Sequence, residues 1–287
     1  MKPDMLADAV MPPDLERRFG GLARLYGAAG AQRIRQAHII LIGLGGVGSW
    51  AAEAAARSGV ARLTLVDLDH IAESNINRQV HALSHTIGMA KVKAMRERIA
   101  HINPACNVRC VEEFVDADNW PDIAALDMDA DGPVSIIDAC DQVKAKTAIA
   151  AWALQYNARH KTAENINFIS VGAAGGKRHA HKVEIDDLSL TTHDPLLAQL
   201  RYRLRKEQGA ARQGKIGVTC VFSRESVMQP GAASAENNPA AADGLPPDVV
   251  DGQSDGSLNC HGYGSVVSVT STFGICAAGW VLFKIAG

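Results

Sequence analysis

Gly43, Gly45 and Gly48 in the stretch "LIGLGGVGSW" stand at the spacing G-x-G-x-x-G, with Gly46 between them. That pattern can hold a phosphate. The first glycine permits a tight turn, the second lets backbone approach a phosphate, and the third lets a helix pack closely on a strand. A helix opening at Gly48 turns free N–H groups toward an anion. Asp67, at the end of the next apolar run, suits ribose hydroxyls. These residues alone leave a nicotinamide dinucleotide, and so an NAD-dependent oxidoreductase, open.

The following segment points to a longer phosphate chain. Asn75, Arg78 and Gln79 form N-x-x-R-Q, and Lys91 follows at a helix start. A guanidinium and an ammonium converging on one site suit the three phosphates of ATP. In "IIDACDQVKAK", Asp138 and Asp141 fall at the C-terminal end of a strand, on the side where such sheets bind ligands. A carboxylate there can hold Mg²⁺ between phosphates. Asp141 is the favoured metal ligand; Asp138 is alternatively a cap for the next helix.

These residues need a parallel sheet to carry them. "AHIILIG" (37–43) reads as a buried strand and "GSWAAEAAARSG" (48–59) as a helix closed by glycine. "RLTLVDLD" (62–69) is the next strand, which completes a β-α-β unit. Helices follow over 88–104 and 144–160, and strands over 107–115, 134–140 and 167–176. The expected fold is α/β: a Rossmann-like, doubly wound, mostly parallel sheet with helices on both faces and a smaller C-terminal extension. The expected domains are a nucleotide-binding part over 17–176 and a substrate-facing part over 177–287. The latter begins with a basic-faced helix (193–209) and an alternating run (215–225) that reads as an edge strand. A Pro-, Gly- and Ala-rich stretch over 230–256 reads as a flexible surface loop. The last stretch, "SVVSVTSTFGICAAGWVLFKIAG", is long enough to span a membrane but is favoured as a buried terminal helix.

Composition sets bounds. The 287 residues are 47% hydrophobic, ample for a continuous core, and the net charge of −2 gives no overall pull toward nucleic acid. None of the six cysteines forms a C-x-x-C pair, so a structural zinc site of common spacing is not indicated. Reduced thiols, and an N-terminal stretch without an apolar segment, suit a cytoplasmic enzyme.

The glycine loop, Asp67, N-x-x-R-Q, Lys91 and D-x-x-D together resemble the E1-like adenylating family. That group holds the ubiquitin-activating enzymes and bacterial relatives in molybdopterin and thiamine synthesis. The motifs cover roughly residues 17–175. The resemblance implies ATP and Mg²⁺, attack of a carboxylate on the α-phosphate, and release of pyrophosphate. It places the ribose at Asp67, the triphosphate at Asn75, Arg78 and Lys91, and the metal at Asp141. The segments "RRFGGLARLYG", "NINRQVHAL", "DPLLAQLRYRLRK", "GVTCVFSRE" and "STFG" resemble the branch acting on threonylcarbamoyladenosine at position 37 of tRNA. That branch closes a ring through an acyl adenylate and expels AMP. A homodimer is the implied assembly, with Arg18 or Arg24 reaching the partner's ATP. Gln142 follows Asp141 where many members carry Asn. An enzyme activating the C-terminal glycine of a ubiquitin-like sulfur carrier is the competing reading, although the C-x-x-C pairs common in that branch are absent.

Two further groups stand out. Cys220, in "GVTCVFS", and Cys260, beside His261, are candidate thiols for an acyl thioester, against the alternative of simple packing. A sulfur-transfer partner protein stays open as a further partner. Arg201, Arg205 and Lys206 lie on one predicted helix and are candidate contacts to the tRNA backbone.

Overall fold

The computed structural model describes residues 13–125, 132–160, 166–228 and 263–287. The expected loop over 230–256, and Cys260 with it, lies outside these residues. The described strands are β1 (His38–Ile42), β2 (Arg62–Val66), β3 (Asn107–Val111), β4 (Val134–Asp138), β5 (Asn167–Val171), β6 (Val183–Asp187) and β7 (Thr219–Ser223). They form one sheet in the order β3-β2-β1-β4-β5-β7-β6, parallel throughout except where β6 runs against β7.

The helices are α1 (Leu15–Phe19), α2 (Gly21–Gln36), α3 (Gly48–Arg57), α4 (Lys91–Ile102), α5 (Trp120–Ala125), α6 (Val143–Arg159), α7 (Pro195–Glu207) and α8 (Val267–Ala286). They cover both faces. Side chains alternate along a strand, so β1 feeds two cores at once. Ile39 and Leu41 pack with α3, α4 and α8, while Ile40 and Ile42 pack with α5, α6 and α7. Every residue of β1 and β4 is buried, which is why both read as unbroken apolar runs.

Two features depart from the linear reading, and a third agrees with it. β7 is no edge strand: β5 pairs with it on one side and β6 on the other. The edge belongs to β6, whose sequence "VEIDD" is too acidic and too short of apolar residues to announce a strand. The sheet also runs straight across the expected boundary at 176/177, because β6 and β7 extend it. Finally, α8 returns from the C-terminal end to pack against α3, α2 and β5. By length and composition α8 could cross a membrane. Here its residues 269–270, 273–274, 277–278, 281–282 and 285–286 form a buried stripe. Gly274 lets the two helices touch, since a Cβ there would stand 2.3 Å from the Val47 carbonyl oxygen.

Candidate active site

The strand order reverses between β1 and β4, which opens a crevice at their C-terminal ends. The glycine loop fills its floor. Gly43 adopts φ +83°, and a Cβ on it would lie 2.9 Å from backbone atoms of Ala139 and Cys140. The loops after β1 and β4 therefore touch. Gly48 is closed even more tightly, with its would-be Cβ 1.8 Å from the Gly43 carbonyl oxygen. Gly45 meets nothing within 4 Å and faces open space. Gly48 is thus required by packing, whereas Gly45 leaves the space beside the loop open. The N-cap residue of α3, Val47, offers no side-chain acceptor to the first-turn N–H groups.

Above the loop lies a cavity of about 180 Å³. Gly43, Gly45, Gly46, Asp67, Arg78, Lys91 and Asp141 all line it. Asp67 follows β2 and accepts from the Leu44 N–H at 2.5 Å and the Asp69 N–H at 2.9 Å. Burial pushes its pKa up, and Lys91 with the two N–H donors pulls it back. Lys91 opens α4 and sits 2.6 Å from the Asp69 carboxylate and 3.8 Å from that of Asp67. Arg78 donates to the Ser74 carbonyl at 2.7 Å and to Asn77 Oδ1 at 2.9 Å, and its own carbonyl accepts from the Trp50 indole at 2.9 Å. Its aliphatic stem lies over the glycine loop: a Cβ on Gly46 would meet Arg78 Cγ at 3.1 Å. A guanidinium laid on a phosphate loop, with an ammonium across the cavity, suits a polyphosphate.

The chain belongs to the ThiF family, whose pattern matches residues 18–234.

A tRNA threonylcarbamoyladenosine dehydratase of Escherichia coli is 41% identical over 94% of this chain and 93% of its own length. A protein of the same name from Haemophilus influenzae is 39% identical over 94% of each chain. The crystal structure of the Escherichia coli dehydratase TcdA with ATP matches at a TM-score of 0.76 and 37% identity, covering 96% of both chains. The same enzyme with AMP matches at 0.75.

Within this ThiF-family site the two acids after β4 part company. Asp141 lines the cavity, with no ion pair among the described residues. Asp138 is fully buried and neither faces the cavity nor caps α6, whose N-cap is Gln142. Instead Lys146 donates to its carboxylate at 3.0 Å and to its carbonyl at 3.1 Å, and Ser170 Oγ donates at 2.8 Å. Burial disfavours the Lys146 ammonium, but the adjoining Asp138 carboxylate outweighs it and holds its pKa above the ordinary value. This buried pair sits directly beneath the loop that carries Asp141.

Asn75 and Gln79 do not reach the cavity. Asn75 Oδ1 accepts from the Ala72 N–H at 3.0 Å, and the Asn75 carbonyl accepts from Arg78 N at 3.1 Å. Both thereby shape the turn that presents Arg78. Gln79 is buried, and its side-chain oxygen has no hydrogen-bond partner among the described residues. The lining also includes Asp69, Phe114, Leu196 and Thr270, which the sequence motifs do not mark. The D-x-D spacing of Asp67 and Asp69 was a readable signal. Thr270 had none, because α8 reaches the site only through tertiary packing.

Cys220 lies on β7 with no exposed surface, and burial pushes its pKa well above the ordinary thiol value. That environment suits packing and disfavours a thiolate nucleophile. The basic face of α7 is also mixed. Arg201 donates to the carbonyls of Leu188 and Thr191, both at 3.0 Å, and to Thr191 Oγ1 at 2.8 Å. Arg205 reaches the Ala211 carbonyl at 3.1 Å, and the exposed Lys206 lies over Tyr202. Arg201 is thus an internal brace, while Lys206 remains open to solvent.

Proposed function

We propose that this chain is an ATP-dependent dehydratase that adenylates the carboxylate of threonylcarbamoyladenosine at position 37 of tRNA. A nitrogen of the same modification then displaces AMP and closes the ring. The observation that carries this reading is the convergence of Arg78, Lys91 and the glycine loop on one cavity, in a chain 41% identical to a dehydratase of that name.

The chemistry needs an anion to attack an anion, so cations at the phosphates must offset the repulsion. Arg78 and Lys91 supply that charge, and the open N–H groups of α3 add to it. Asp67 orients the ribose. Asp141 is the residue that fits Mg²⁺: it lines the cavity without an ion pair among the described residues, whereas Lys91 lies beside Asp67 and Asp69 and Lys146 pairs with Asp138. One carboxylate suffices, since Mg²⁺ takes its other ligands from phosphates and water. When bound, the ion would neutralise charge between phosphates. Ring closure is intramolecular, so orientation replaces a protein nucleophile.

The same proposal takes the chain as a cytoplasmic homodimer. Five free cysteines among the described residues support a reducing compartment. Arg18 is engaged with the Ile102 carbonyl at 2.8 Å, which leaves exposed Arg24 as the arginine available to a partner's nucleotide. Arg205 and Lys206 are proposed tRNA contacts. No sulfur-transfer partner is required by this chemistry.

The test labels the substrate carboxylate with ¹⁸O. The protein, ATP, Mg²⁺ and modified tRNA should yield AMP carrying one labelled oxygen, and a nucleoside lighter by one water. AMP formed without tRNA on addition of a ubiquitin-like carrier protein would replace this reading with the sulfur-carrier one. Nucleotide binding without AMP formation would refute both.

A further inference from the structure

A second cavity, of about 640 Å³, opens on the α3–α4 face. Arg18, Arg57, His81, Glu97, Arg98 and His101 are among its lining residues, and it shares none with the glycine-loop cavity. The two are nonetheless neighbours. α4 carries Lys91 into one and Arg98 into the other, two helical turns apart, or about 10 Å along the axis. The segment between β2 and α4 does the same with Arg78 and His81.

The charges around this cavity do not cancel. Arg57 and Arg98 share one carboxylate, Glu53, at 2.7 Å and 2.6 Å. Glu97 is the other acid, so three guanidinium groups face two carboxylates. One positive charge is left over before any histidine titrates. Each guanidinium also keeps N–H donors beyond those used in these contacts.

His81 supplies an independent observation. It is 1% exposed, and neither ring nitrogen has a hydrogen-bond partner among the described residues. Buried polar groups are nearly always paired, and an imidazole carries one donor and one acceptor even when neutral. Burial, helped by Lys91 and Arg98, pushes its pKa down to about 4, so the ring is neutral near pH 7. The backbone holding it is locked: Thr86 Oγ1 donates to the His81 carbonyl at 2.7 Å and accepts from the Leu83 N–H at 2.9 Å. A fixed, unpaired N–H beside a surplus cationic charge is a site lacking its acceptor.

We propose that this cavity seats one backbone phosphate of the RNA substrate, with His81, Arg18 and Arg98 as its donors. A phosphodiester carries a single negative charge, which matches the surplus. The RNA occupant rests on the tRNA reading given above; the anion site does not. Because α4 borders both cavities, a strand entering the glycine-loop cavity with its modified base would run beside this one.

The test uses the full chain with its glycine-loop cavity saturated by a non-hydrolysable ATP analogue. Wild type, His81→Phe and His101→Glu are each titrated with inorganic phosphate by calorimetry, and with modified tRNA across a salt series. His101 is exposed, so its variant guards against loss of folding in the buried one. The expected result is phosphate affinity at least about tenfold weaker in both variants, and tRNA binding weaker with a log–log salt slope smaller by about one. Equal phosphate affinity in all three proteins, or none in wild type, overturns the anion site; a cavity covered by a second copy of the chain would give the latter. Phosphate binding lost in the variants with tRNA binding unchanged overturns the RNA occupant. Wild type that binds phosphate but no tRNA overturns the tRNA reading itself.

Discussion

The ammonium of Lys91 lies 2.6 Å from the Asp69 carboxylate, and this pair stands where a polyphosphate would compete for the same cation. Asp69 is 55% exposed at its side chain while Lys91 is 8% exposed. The acid can therefore swing to solvent while the cation stays. Lys91→Met should weaken ATP binding by about tenfold to a hundredfold, the worth of a charge-assisted hydrogen bond. Asp69→Asn should act in the opposite direction, strengthening ATP binding by at most about fivefold, because a half-exposed pair is weak. Calorimetric titration with ATP reads both. Weakening by both variants would mean that Asp69 serves the nucleotide directly.

The glycine loop separates stability from binding. Gly48→Ala should cost about 3 kcal/mol, since its Cβ would overlap the Gly43 carbonyl oxygen. Gly45→Ala should leave the urea midpoint unchanged, because its Cβ meets nothing. It should still weaken ATP about tenfold by blocking the approach of a phosphate. A large stability loss at Gly45 would show that the loop packs differently.

The edge strand β6 is tied down by Asp187. Its carboxylate accepts from the N–H groups of Ser189, Ile216 and Gly217 at 2.9, 2.9 and 2.7 Å. Burial alone would raise its pKa, but these donors outweigh that and lower it. A carboxyl whose pKa falls on folding stabilises fully above its unfolded value near 3.8, and that contribution is lost as pH falls through the folded value. Asp187→Asn should cost about 1 kcal/mol near neutral pH after allowance for solvent screening. The gap between the two proteins should narrow as pH drops below about 4. Urea unfolding across that range measures it, and a constant gap would remove the ionised carboxylate from the account.

The two halves of the basic helix should behave differently. Arg201→Glu breaks three internal hydrogen bonds and should lower Tm by about 5 °C. Paired reversal of Arg205 and Lys206 should leave Tm within about 1 °C and weaken tRNA binding, with ATP binding unaffected. Filter binding and thermal melts on the same preparations compare them. Unchanged tRNA binding in the double variant would move the RNA contact elsewhere.

Much of the site could be read from linear spacing. Gly43, Gly45, Gly46, Asp67, Arg78 and Lys91 lie within one β-α-β-α run, where chain connectivity alone brings the strand ends together. The buried runs of β1 and β4 announced a two-faced sheet. Periodicity could not separate Asp138 from Asp141, because the distinction is that Lys146 and Ser170 enclose the former. Nor could it show that Arg201 braces the Leu188–Thr191 turn, since a basic helix face looks alike whether solvated or pinned.

What the amino-acid order determined by itself was the glycine loop, Asp67, two cations and the strand–helix alternation that carries them, because each depends on neighbours within a few turns of chain. Tertiary structure alone decided that α8 brings Thr270 to that loop, that β6 rather than β7 forms the edge, and that Arg18, Arg57, Arg98 and His81 share a cavity. These contacts join residues far apart along the chain. They arise from the order of strands and the packing of helices, which no local pattern encodes.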